Sequence, residues 1–125
     1  MITRAEILMG RHTEYPLTAE LEENFGKLLK AVNVVRERFM QPMIVSSGYR
    51  PGHYNKDANG AKGSLHKTLQ AVDFKDENRK LAYFLENNEH ILEEAGLYME
   101  QPAFTPTWVH LQTRAPRSGN RIFIP

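Results

Sequence analysis

The stretch Ser64-Leu65-His66-Lys67-Thr68-Leu69-Gln70-Ala71-Val72-Asp73 decides how this chain is read. It offers an imidazole at His66 and a carboxylate at Asp73. Its end, Ala71-Val72-Asp73-Phe74, reads as a strand. Val72 and Phe74 then share one face, and Ala71 and Asp73 share the other. His66 sits at the end of the loop that feeds this strand. A third group of the same kind, His110, lies in Trp108-Val109-His110-Leu111-Gln112, which also reads as a strand. If the two strands are neighbours, Asp73 and His110 project from one face. The spacing from His66 to Asp73 lets the chain turn back so that all three reach one point.

Two imidazoles and a carboxylate suit a zinc ion, which in catalytic sites takes three protein ligands and keeps one open position. The chain contains no cysteine. Disulfides, thiolate zinc sites and cysteine nucleophiles are therefore excluded, and histidines and carboxylates remain as the strong ligands. The same residues also admit plainer readings. His66 can be a loop histidine, His110 a strand histidine bonded to backbone, and Asp73 a strand-end cap. Asp73 can also be an acid that hydrogen-bonds a metal-bound histidine without touching the metal. His12 and His90 read as surface residues.

Working outward, Thr18 is a candidate N-cap, with Glu20, Glu22 and Glu23 in the first turns where the helix dipole favours acid. Leu21, Phe25, Leu28, Leu29, Val32, Val35 and Phe39 recur in steps of three and four, which predicts a helix over 18–39. Residues 1–17 read as a short helix or turn and a loop. Met43-Ile44-Val45 reads as a short strand, broken by Ser46-Ser47-Gly48-Tyr49-Arg50-Pro51-Gly52. The loop from Gly48 to Gly63 is long for so small a domain, and such loops are often functional. Asp76 can cap a helix running to about Asn87. A second helix, about Glu89 to Ala95, stops at Gly96. Leu97–Glu100 reads as a strand, 101–107 as a connection, and Ile122-Phe123-Ile124 as a closing strand. The expected architecture is one α+β domain over residues 1–125, with helices packed on one side of an antiparallel sheet.

Ser64-x-His66, Ala71-x-Asp73 and Trp108-x-His110, with Ser47-Gly48-Tyr49-Arg50-Pro51 upstream, resemble the M15 family of zinc peptidases. That family includes D-Ala-D-Ala carboxypeptidases and the L-alanyl-D-glutamate endopeptidases that phages use as lysins. The resemblance implies a hedgehog/DD-peptidase-like fold, Zn2+ held by His66, Asp73 and His110, and peptidoglycan stem peptides as substrate. It implies that Arg50 lines the site, where a planar cation suits a carboxylate or a developing oxyanion. Tyr49, Ser64 and Trp108 become candidate substrate contacts. Two positions depart from the family pattern. Its usual glycine falls at Leu69, and its acid three positions before the last histidine falls at Thr107. The nearest acid in sequence is Glu100, which a hairpin of 97–100 with 108–112 would bring close to the metal as general base.

A formal net charge of +1 gives no strong field toward nucleic acid or membrane, and basic residues are interleaved with acids rather than gathered in a stripe. No segment approaches the roughly 18 apolar residues of a membrane span. The N-terminus shows no signal-peptide pattern, so synthesis in the cytoplasm with release by another route is expected. A rival reading follows from Thr107. It is a module that keeps the zinc fold and only binds cell wall or assembles into a phage structure. Oligomeric state and the bond cleaved are not encoded in any pattern found.

Overall fold

The computed structural model describes residues 1–125. Helix α1 (Arg4–Leu8) opens with a capping box, in which Thr3 and Glu6 satisfy each other's backbone N–H groups. Helix α2 (Ala19–Phe39) follows as the spacing predicts. The Thr18 side chain accepts from Leu21 N, and Arg36 and Arg38 lie in the last turn, where the dipole favours cations. Phe25, Leu28, Ala31, Val32 and Val35 form its buried stripe.

Strand β1 is Val45–Ser47, two residues later than Met43-Ile44-Val45 suggests. Met43 goes into the core as a loop residue instead, and Ile44 is exposed. The long loop after β1 is not featureless, because a short helix α3 (His53–Asp57) lies within it. A 3-10 turn (Leu65–Thr68) then leads into strand β2 (Ala71–Lys75). Helices α4 (Lys80–Glu86) and α5 (Glu89–Ala95) follow, the second ended by Gly96 in the left-handed conformation. Asp76 does not start α4. It lies before the helix, and its two carboxylate oxygens accept from Leu81 N and Ala82 N, so it caps from a distance. Strands β3 (Tyr98–Glu100), β4 (Trp108–Gln112) and β5 (Ile122–Phe123) complete the chain, with a 3-10 turn (Pro102–Phe104) between β3 and β4.

The strands form one five-stranded sheet in the order β1-β2-β4-β3-β5. The expectation of an all-antiparallel sheet is corrected at one edge, where β3 and β5 pair in parallel. Only 21 residues separate the end of β3 from the start of β5, and β4 and a loop use them to return the chain in the same direction. Alternation divides the sheet. Val72, Phe74, Met99, Val109 and Leu111 face the helices and are at most 1% exposed. They belong to one cluster of 22 buried residues with the stripe of α2 and with Leu81, Leu85, Ile91 and Leu92. Asp73, His110, Gln112 and Glu100 alternate with them and so fall on the opposite face.

Two backbone positions steer the chain past that opposite face. Gly48 packs so closely on α1 that a Cβ there would collide with the Ile7 carbonyl, and the Tyr49 N–H donates to that same oxygen at 2.9 Å. Leu69 is the second. It adopts φ 57°, ψ 38°, the left-handed conformation that a glycine enters freely, and its N–H bonds Leu65 O. The departure from the family's glycine therefore leaves the turn in the left-handed form. Leu69 is fully buried in the core, and that burial offsets a strain of about 1–2 kcal/mol. Leu69→Ala loses the side chain and keeps the strain, whereas Leu69→Gly loses the side chain and relieves it. We expect Leu69→Gly to be the more stable of the two by about 1 kcal/mol. Urea midpoints measure this, and a higher midpoint for the alanine variant would contradict it.

Candidate metal centre

Strands β2 and β4 pair in a register that sets Asp73 directly opposite His110. Their side chains meet above the sheet, with His110 Nδ1 2.9 Å from Asp73 Oδ1. His66 arrives from the 3-10 turn and places Nε2 3.3 Å from the same oxygen. One ligand atom from each residue lies within 4.8 Å of the others. A tetrahedral zinc with bonds of about 2.0–2.1 Å spaces its ligand atoms roughly 3.3 Å apart. The three side chains are only 3%, 14% and 16% exposed for His66, Asp73 and His110, so this is a built site and not a chance surface grouping.

Each imidazole is held from behind. His66 Nδ1 lies 3.0 Å from the carbonyl of Gly48, which can only accept, so Nδ1 carries the proton. Nε2 is left with a lone pair, buried and without a hydrogen-bond partner, aimed at the shared point. An orphaned basic nitrogen in such a place is what a metal would satisfy. His110 Nε2 lies 2.8 Å from Gln112 Oε1, with Nδ1 turned inward. The donor set therefore fits zinc by chemistry, spacing and orientation.

The charges agree with the geometry. Burial alone would raise the Asp73 carboxyl, but the hydrogen bond from His110 outweighs it, joined by His66 when that ring is protonated, and the carboxyl is held far below the usual carboxylate range. Burial would likewise lower His110. Its hydrogen bond to Asp73, aided by Gln112 and by the charge of Glu100, overrides this and raises its pKa.

Around this centre the other candidates take distinct places. The β3–β4 pairing, Tyr98 with Gln112 and Met99 with Leu111, runs on to bring Glu100 alongside His110. Burial pushes the Glu100 carboxyl up; His110 and His66 pull against this and Asp73 adds to it, so the acid sits within the electrostatic reach of all three. Thr107 is exposed, just before β4, and its carbonyl accepts from Asp76 N. Arg50 is tied to the His66 segment, its N–H bonding His66 O at 3.0 Å and its Nη2 reaching Ser64 Oγ at 3.3 Å. Its Nε is buried and unpartnered. Ser64 caps the 3-10 turn by accepting from His66 N. Trp108 is half-buried two residues before His110 on the same face of β4. Tyr49 is a correction. It is 2% exposed, packs in the core and donates its hydroxyl to Tyr15 O at 3.2 Å, so it has no surface to offer a substrate. His12 and His90 are exposed, as expected. Sequence reasoning missed Gln112 and the Gly48 carbonyl. The first could have been found, because a residue two places along a strand shares His110's face.

These features define a two-histidine, one-aspartate metal hydrolase centre on the open face of an α+β domain. The Peptidase M15 family model matches residues 3–112, and the chain belongs to that family. No curated protein and no solved structure matches the chain. The protein is a zinc metallopeptidase, with His66, Asp73 and His110 as its metal residues.

Zinc must displace the proton that His110 Nδ1 shares with Asp73. The contact with Asp73 raises the His110 pKa, so the competition from protons begins at a higher pH than for an ordinary histidine. We expect zinc affinity to fall by about tenfold per pH unit once pH drops below that raised value. Chelator competition at a series of pH values measures it, and an affinity that stays flat between pH 8 and pH 5 would contradict the assignment.

Proposed function

We propose that this peptidase hydrolyses a peptide bond in peptidoglycan stem peptides, with Glu100 as general base and Arg50 as the cation that receives a substrate carboxylate or developing oxyanion. The observation that carries the assignment of Glu100 is the β3–β4 pairing, which brings a half-buried carboxyl alongside a ligand histidine. We take the architecture to be of the hedgehog and DD-peptidase kind, and a phage lysin to be the biological setting that fits best. Synthesis in the cytoplasm and release by a separate route belong to the same proposal, as does residues 1–125 acting as one domain.

Zinc, when bound, supplies Lewis acidity toward a carbonyl and brings the pKa of water toward neutrality. The chain's own residues do the rest. Glu100, with its pKa raised by burial, is poised to take a proton from the attacking water and pass it to the leaving amine. Its placement on β3 substitutes for the acid that Thr107 lacks. Arg50 is anchored through Ser64, and its half-buried guanidinium supplies a planar cation for a substrate anion. Ser64 both caps the turn under His66 and steadies Arg50, so it acts on substrate chiefly through these two. Trp108 offers a flat wall beside His110.

The rival is a module that keeps the metal and binds wall peptide without cutting it. Thr107 favours that reading, and the position of Glu100 disfavours it. Incubation of the zinc-loaded protein with purified peptidoglycan, followed by mass spectrometry of released peptides, separates them and identifies the bond. We expect new amine termini. Glu100→Gln should retain zinc and lose about 10²–10⁴-fold in turnover. Wild-type activity in that variant would remove Glu100 from the mechanism, and metal without any cleavage by the parent protein would establish the binding module.

A further inference from the structure

We propose that Gln112 is a positioning residue that fixes the tautomer of His110 and so makes its Nδ1 the metal-binding atom. The inference rests on His110 being a zinc ligand and concerns which nitrogen is free to bind.

The argument starts at a backbone carbonyl. Gln112 is 8% exposed, and both ends of its amide are engaged. Its Nε2 donates to Arg114 O at 2.7 Å. A carbonyl oxygen can only accept, so the amide NH2 must face Arg114, and Oε1 must face the other way. That oxygen lies 2.8 Å from His110 Nε2. An amide oxygen can also only accept, so Nε2 must carry a proton. With Nε2 protonated, the lone pair of the neutral ring belongs to Nδ1, the atom that points to Asp73. Rotating the amide by half a turn would set two acceptors against each other at Arg114.

A free histidine in water exchanges readily between its two neutral forms, with the Nε2-protonated one the more populated. Here the choice is made by a chain of one-way hydrogen bonds that ends in the backbone. His66 is treated the same way by the Gly48 carbonyl, with the opposite nitrogen pointing inward. The two imidazoles would thus hold the metal through different atoms, His66 by Nε2 and His110 by Nδ1, because their supports lie on different sides. Gly48 supplies main chain that substitution cannot remove. Gln112 supplies a side chain, which makes the device testable.

Gln112→Met keeps the length and removes both polar atoms. Gln112→Glu keeps an acceptor facing His110, replaces the donor to Arg114 with a second acceptor and adds a negative charge. Three quantities are measured: zinc affinity by chelator competition, thermal unfolding of each metal-free variant, and nitrogen-15 shifts of the histidine rings in the zinc-loaded parent. We expect Gln112→Met to weaken zinc binding by about 10–100-fold, the range typical of lost outer hydrogen bonds to a ligand. Gln112→Glu, which keeps the acceptor, should bind zinc more tightly than Gln112→Met. The His110 ring should carry its proton on Nε2 and zinc on Nδ1. Equal affinity in Gln112→Met, equal losses in both variants, or a ring ligated through Nε2 would overturn the proposal. The ring shifts decide the matter if neither variant folds. Failure of the parent to cut peptidoglycan would defeat the substrate reading alone, because none of these measurements uses turnover.

Discussion

The cross-strand pair Asp73–His110 is the constraint on which the rest depends. Side chains alternate along a strand, so a slip of one residue between β2 and β4 would turn either Asp73 or His110 into the core. The register is held by what lies on the other face. Val72 and Phe74 on β2 and Val109 and Leu111 on β4 are all buried against the helices. Exposing them would cost several kcal/mol, at about 1.5–3 kcal/mol for each large apolar side chain. The hydrophobic core thereby fixes the geometry of a polar site that it never touches.

His66 reaches the site by a different logic. It belongs to no strand, and its position depends on a turn entered past Gly48 and left through Leu69. Both ends are tied to the core, Gly48 by its contact with α1 and Leu69 by its buried side chain. Arg50 and Ser64 brace the segment through the His66 carbonyl and N–H. The loop is thus rigid where it carries ligands, which suits a site whose atoms must meet within a few tenths of an ångström.

Much of this was legible in the residues. The long amphipathic helix, its Thr18 cap, the stop at Gly96 and the strand at 108–112 each carry a local signal, and each is found where that signal lies. The metal residues were legible only as candidates, since convergence is a tertiary fact and three polar residues have no periodicity. What misled was local in another way. Met43-Ile44-Val45 has strand-forming side chains, but pairing with β2 begins at Val45 because Met43 is drawn into the core. Tyr49 stands beside Arg50 in sequence, yet the two side chains part, one to the core and one toward the site. The parallel β3–β5 edge had no signature in two short segments. Gln112 went unread because the hydrogen bond that gives it meaning depends on where the Arg114 carbonyl turns.

The most direct measurement is a crystal structure of the zinc-loaded protein with anomalous data collected on both sides of the zinc absorption edge. The account predicts one strong zinc peak above the β2–β4 pair, within bonding distance of His66, Asp73 and His110. A peak elsewhere, or none after soaking with zinc at neutral pH, would contradict it.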